Sequence, residues 1–259
     1  MIVYIYDGSF EGLLSLIFEA YDRKAFPDGI HRKQQYTKQM FDDTLEIITC
    51  HKSSERVWRG LQKKLSAESL SMLYRVYLSE LPEADLLIVD YVKLVFASNN
   101  RIETNFSNST VLKMTQIWQK VSREASRVPM FVRFALTADG IYYASYEPKY
   151  DVLSLVIDHF QKRFADQKWI LFDIKRRYGY FFDGQNAQRI TFEEDNINKS
   201  TGMPSSEIFD TDEKIFTDLW KTYFKSINIE ERKNLKLQMQ LMPKRFWKLL
   251  PEMQEKISK

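Results

Sequence analysis

Four side chains carry the chemistry needed for acid–base work: Glu124, His159, Asp173 and Asp183. An imidazole titrates near neutrality and suits a general acid or base. Asp173 and Asp183 end expected strands, where two carboxylates can hold Mg²⁺ or accept a proton. An ordinary surface His and ordinary turn-forming Asp residues would look the same in the sequence, so both readings stay open. No nucleophile–base triad is legible.

Cations form the second constellation. Arg123 and Arg127 are four residues apart and share a helix face, with Glu124 between them in sequence. Arg133 follows on an expected strand, pointing opposite to Val132, and Arg163 lies near the junction of a helix and the sheet. Lys175-Arg176-Arg177-Tyr178 and Lys244-Arg245-Phe246-Trp247-Lys248 interleave cations with rings. Guanidinium forks fit phosphate oxygens bidentately, and rings beside a cationic groove can stack bases. The candidate nucleic-acid set is Arg123, Arg127, Arg133, Arg163, Arg176, Arg177, Lys244, Arg245 and Trp247. The alternative is that Glu124 and nearby acids pair with the arginines, and that Phe246 and Trp247 are core. Gly8 and Ser9, between an expected strand and helix, could present backbone N–H groups to an anion. The spacing there is neither a P-loop nor a dinucleotide fingerprint, and Asp7 and Glu11 would repel an anion, so a capped tight turn is the competing reading.

The charge is segmented. Residues 160–190 hold seven Lys/Arg against three acids, 191–218 two against eight, and 219–259 ten against four. Two basic stretches flank an acidic one, which either leaves a positive face for phosphates or folds over the cations. The net charge of +3 alone says little. One cysteine, Cys50, and three histidines, His31, His51 and His159, supply no thiolate cluster for iron–sulfur and only a poor zinc set. No metal and no cofactor is expected. A single Cys fits a reducing compartment.

These residues need a scaffold. With 44% hydrophobic and 28% charged residues, the chain has globular composition and can bury a substantial core. The start, Met1 to Asp7, has no basic n-region, and no apolar run approaches the ~20 residues of a membrane span, so a cytoplasmic protein without membrane contact is expected. Residues 2–6 alternate as a strand, and Phe10, Leu13, Leu14, Ile17, Phe18 and Tyr21 form a helical stripe. A strand at 44–49 completes a small βαβ-like opening. Helices are expected at about 53–65, 67–81, 83–98 and 110–127. Beyond Pro129 the character changes: strands at 130–136 and 141–146 about an Asp139-Gly140 turn, a helix at 152–164, then strands at 168–174, 178–182 and 188–192. That order predicts an antiparallel sheet with a helix on one face, followed by C-terminal helices from Asp212. The expected fold is α+β: a small N-terminal strand–helix unit, a helical middle, and a C-terminal antiparallel sheet packed with helices. The expected domains are 1–100 and 101–259.

Several stretches together resemble a known family. They are Tyr6-Asp7-Gly8-Ser9-Phe10-Glu11-Gly12; Val121 to Arg127 with Phe131-Val132-Arg133-Phe134; Glu147-Pro148, His159-Phe160 and Arg163-Phe164; Trp169, Asp173, Arg176 and Asp183-Gly184; Leu219 to Tyr223; and Met242 to Trp247 with Leu250-Pro251-Glu252. In this order, over nearly the whole chain, the pattern is similar to that of bacterial DNA-metabolism and repair proteins associated with a radical-SAM partner. Their C-terminal domain of unknown function also occurs fused to uracil-DNA glycosylases. The pattern has a His where this chain has Ser126, so no imidazole chemistry transfers to that position. The resemblance implies a DNA-repair setting and supplies no mechanism. Three functions follow as expectations. The first is an accessory protein that binds nucleic acid or docks a radical-SAM protein. The second is a hydrolase-like enzyme on damaged or modified DNA, which needs Glu124, His159, Asp173 or Asp183 to converge. The third is a protein–protein adaptor without DNA contact.

Overall fold

The computed structural model describes residues 2–37, 43–98, 101–191, 209–210, 212–227, 229–232 and 234–256. It has the α+β character expected, in two compact units, Met1–Ser122 and Arg123–Lys259. Among the described residues no helix is long and apolar enough to cross a membrane.

In the first unit β1 (Ile2–Tyr6) lies between β2 (Gly29–Arg32) and β3 (Asp43–Glu46), paired parallel to both. Parallel pairing requires a crossover, and α1 (Phe10–Asp22) supplies it between β1 and β2. Ser9 caps α1 by accepting from the Gly12 N–H at 2.9 Å. Strand β2 falls in a polar stretch with no strand signature, and it is recruited as an edge by pairing with buried β1. Helices α2 (His51–Lys64), α3 (Ala67–Tyr77) and α4 (Ala84–Ala97) follow. Helix α5 (Ser109–Phe131) begins in this unit and ends in the second.

In the second unit a five-stranded sheet has the order β4-β5-β6-β7-β8: β4 (Ala135–Leu136), β5 (Tyr142–Tyr146), β6 (Trp169–Asp173), β7 (Tyr178–Phe182) and β8 (Ala187–Ile190). The pairs are antiparallel except β5–β6, which is parallel. The sheet is therefore mixed. A 3-10 turn (Leu153–Leu155) and α6 (Ile157–Arg163) carry the chain back before β6 begins, and such a return aligns two strands in the same direction. The strand expected over 130–136 is another correction. Met130 and Phe131 complete α5 despite Pro129, and only Ala135–Leu136 pair as strand. Burial of Val128 and Phe131 holds the last helical turn although proline removes one N–H. Arg133 consequently sits on the connector between α5 and β4, not on a strand.

Helices α7 (Glu213–Ser226) and α8 (Leu235–Leu241) follow, and then two 3-10 segments, Lys244–Leu249 and Pro251–Lys256. Neither α7 nor α8 has a buried residue. Most of the acidic run at 191–218 falls outside the described residues.

Candidate nucleic-acid interface

The polar centre of the second unit is Glu124, only 2% exposed. Its neighbours on α5, Val121, Ala125 and Val128, are core, so the helix turns the Glu124 carboxylate inward along with them. An ionised carboxylate there requires partners. Arg245 Nη2 donates to Oε2, Arg127 Nη1 lies 3.7 Å from the same oxygen, and the Lys149 N–H donates to Oε1 at 2.8 Å. Two guanidiniums thus share one carboxylate, leaving a fixed excess of one positive charge. The Arg127 and Arg245 side chains remain 23% and 36% exposed, so part of each fork faces solvent.

A stack of rings places Arg245. The Phe246 ring lies between Phe131 at 5.1 Å and Tyr146 at 5.2 Å, near-parallel to both. Phe246 is 1% exposed, which pins the 244–249 segment against the ends of α5 and β5. The Tyr146 hydroxyl is buried and finds no hydrogen-bond partner among the described residues. Burial, followed by the Glu124 charge, raises its pKa strongly, so the phenol stays protonated.

The loop after β5 connects this centre to the β6–β7 turn. Arg176 Nη1 donates to the Asp173 carboxylate at 2.9 Å and to the Pro148 carbonyl at 3.3 Å, while its Nη2 donates to the Lys149 carbonyl at 3.2 Å. Lys175 Nζ reaches the Lys149 carbonyl at 3.3 Å, and Lys248 pairs with Glu147. Asp173 is fully buried; burial pushes its carboxyl up to about 6, against the pull of Arg176. Arg176, 9% exposed in its side chain, is thus a brace for the loop that holds Glu124. Its neighbour Arg177 adopts φ +57° at the turn.

The expected site residues separate into groups. Glu124, Arg127, Asp173, Arg176 and Arg245 meet around Glu147–Lys149. Arg123 is exposed one helical turn before Arg127 and makes no bond among the described residues. Arg133 donates from Nη2 to Glu252 at 2.7 Å and lies 5.5 Å from the Trp220 ring centroid. His159 is exposed on α6, against the edge of Phe160, and Arg163 is exposed beside Phe164. Asp183 is exposed; its carboxylate accepts from the Gln185 and Asn186 N–H groups, which lower its pKa. Neither His159 nor Asp183 exchanges a hydrogen bond or ion pair with Glu124 or Asp173. Lys244 is exposed 6.0 Å from the Trp247 ring, and Trp247 is buried, its indole N–H donating to the Met242 carbonyl at 3.0 Å. In the first unit Gly8 takes φ +88°, and Ser9 is committed to its cap and to Asp7, whose carboxylate accepts from the Ser9 N–H and hydroxyl.

Sequence reasoning assigned no role to Tyr146, Lys149, Trp220 or Glu252. Glu147, Trp220 and Glu252 do lie in the stretches that carry the family resemblance. The pairing of Glu252 with Arg133 spans 119 residues, beyond the reach of local pattern.

The fold and the site define an α+β chain whose C-terminal unit is built around a buried, arginine-clamped glutamate. The family described as "Domain of unknown function (DUF4130)" matches residues 82–252, and the chain belongs to that family. No curated protein matches. Among solved structures, a pGpG-specific phosphodiesterase, PggH from Vibrio cholerae, aligns over 88% of this chain and 99% of its own, at 8% identity and a TM-score of 0.27, too slight a likeness to bear on fold or function.

Proposed function

We propose that the C-terminal unit binds the phosphate backbone of nucleic acid, and that the protein serves DNA metabolism or repair as a non-catalytic accessory. The observation that carries this is the sharing of the Glu124 carboxylate by Arg127 and Arg245. It orients two part-exposed forks and leaves them with surplus positive charge, the arrangement that favours a phosphodiester. Arg123, one turn along α5, extends the same cationic face. Accessory binding is preferred to hydrolysis because Glu124 and Asp173 are each engaged by arginine, while His159 and Asp183 stand apart from both. The resemblance to proteins that accompany a radical-SAM protein supports such a protein as the docking partner.

The test is binding of fluorescent DNA over a salt series. Affinity is expected to fall steeply with salt, and each of Arg127→Ala and Arg245→Ala is expected to lower the log–log slope by about 1. Absence of binding at low salt would reject the proposal.

A further inference from the structure

The same unit contains an ion pair that is incompletely satisfied among the described residues. Arg133 donates from Nη2 to Glu252 Oε1 at 2.7 Å, and from Nη1 to the Met130 and Val132 carbonyls at 3.2 and 3.1 Å. Two atoms of this pair remain: Arg133 Nε–H and Glu252 Oε2, both buried and both without a hydrogen-bond partner among the described residues. The Glu252 side chain is only 1% exposed. A buried donor or acceptor left unmade is costly, because it has given up its bonds to water for nothing in return. One unused donor and one unused acceptor on the same ion pair match a ligand edge that offers an acceptor next to a donor, as every nucleobase does.

The ring at this place is suited to the same ligand. Trp220 lies against the Arg133 guanidinium and is 38% exposed, and Tyr223 beside it is 54% exposed at a centroid distance of 5.8 Å. Helix α7, which carries both rings, buries none of its residues, so Trp220 can shift at little packing cost. Lys214, exposed on the same helix, adds charge for the adjoining backbone, while Lys221 is paired with Asp218 at 3.7 Å. The aliphatic members of the exposed face, Ile215 and Leu219, would suit a protein partner as well, but such a partner would leave the polar pair unexplained.

We propose that Trp220, Arg133 and Glu252 form a site for an unpaired nucleobase. The base stacks on the Trp220 indole as the ring moves off the guanidinium, and its edge accepts from Arg133 Nε–H and donates to Glu252 Oε2. The site rests on the phosphate-binding reading, since the base must arrive on a strand held nearby. It makes the preferred ligand single-stranded nucleic acid, because a duplex keeps its bases stacked inside.

The experiment compares, on the full chain, a fluorescent single strand, its duplex, and an abasic single strand of equal length and charge. The base-bearing strand is expected to bind roughly tenfold tighter than the abasic one, the worth of stacking about one base. Trp220→Ala and Glu252→Gln are each expected to erase most of that ratio while abasic-strand affinity stays. Trp220→Phe, which keeps a ring, should retain part of it and guards against a folding defect in the alanine variant. Equal affinity for all three DNAs would overturn the base site and leave phosphate binding standing. No affinity for any of them would remove both. A ratio unaltered by Trp220→Ala would place the base elsewhere and overturn the assignment.

Discussion

The backbone N–H of Lys149 donates to Glu124 Oε1 at 2.8 Å, joining the loop after β5 to the middle of α5 across 25 residues of sequence. Through this bond and the two guanidiniums on Oε2, Glu124 is both a structural keystone and the group that orients the cationic face. Buried carboxylates so placed are asymmetric in energy. The intact cluster contributes modestly, but removing one partner leaves charges uncompensated.

Glu124→Ala is therefore expected to destabilise the protein by about 3–5 kcal/mol. Glu124→Gln keeps an acceptor for the Lys149 N–H and loses only the charge, so its cost should be clearly smaller. Urea melts of both variants measure this. Equal costs would mean that the lost charge accounts for the whole effect and that the bond from the Lys149 N–H contributes nothing.

Asp173 gives a pH signature opposite to that of most paired carboxylates. Burial raises its folded pKa from 3.8 to about 6, so folding takes up a proton between those values. The unfolded state then holds fewer protons than the native state, and stability falls as pH rises through that window. The contribution is complete below about pH 4 and lost as pH passes 6. Asp173→Asn cannot titrate. The stability of the parent minus that of the variant should decline from pH 4 to pH 6.5 and level off above. Other carboxylates titrate in both proteins and cancel. A difference that stays flat or climbs across the window would show that Arg176 outweighs burial.

What was legible in the sequence follows from range. Strand β1 and helix α1 declare themselves by alternation and by the stripe from Phe10 to Tyr21, because each buries one face of a local period. The direction of β5 relative to β6 does not, since a hairpin and a crossover present the same alternating strands; only the path through residues 153–163 decides it. Pro129 misled for a related reason. Proline weakens a helix locally, but burial of Phe131 against Phe246 is a tertiary gain that no window near residue 129 contains. Of the site, Arg127 and Arg245 were legible as residue types with phosphate chemistry, and Glu124 as an acid–base group or a partner for the arginines. Their convergence was not, because it depends on Phe246 being packed between Phe131 and Tyr146. Trp247 stood open between a stacking ring and core, and its burial makes it core, while Trp220, for which no role was read, is the ring left exposed.

The end of α1 offers a test independent of function. Lys24 adopts φ +53° and is exposed, with its N–H donating to the Tyr21 carbonyl at 3.2 Å and the Ala25 N–H to the Ala20 carbonyl at 3.1 Å. These two bonds form a Schellman cap, in which the left-handed residue is ordinarily glycine. A side chain in that conformation costs about 1–2 kcal/mol, part of which glycine gives back as unfolded-chain entropy. Lys24→Gly should raise stability by up to about 1 kcal/mol, visible as a higher thermal midpoint. A lower midpoint would mean that Lys24 contributes through its side chain, which has no partner among the described residues.

Phe246 separates the positioning of Arg245 from its charge. The ring is 1% exposed between Phe131 and Tyr146, and near-parallel ring pairs contribute about 0.5–1.5 kcal/mol each beyond simple burial. Phe246→Leu keeps most of the apolar volume and abolishes both stacks, so a loss of about 1–3 kcal/mol in urea melts is expected. The proposed phosphate site adds a second consequence. With its anchor loosened, Arg245 still carries its charge but no longer holds a fixed angle on Glu124. DNA affinity under conditions where the variant is fully folded should then fall several-fold, while the salt slope, which counts charges and not their order, stays near that of the parent. Arg245→Ala should lower both. If Phe246→Leu weakened the fold and left affinity untouched, the ring stack would be core packing alone, and the approach of Arg245 to Glu124 would not be what binds phosphate.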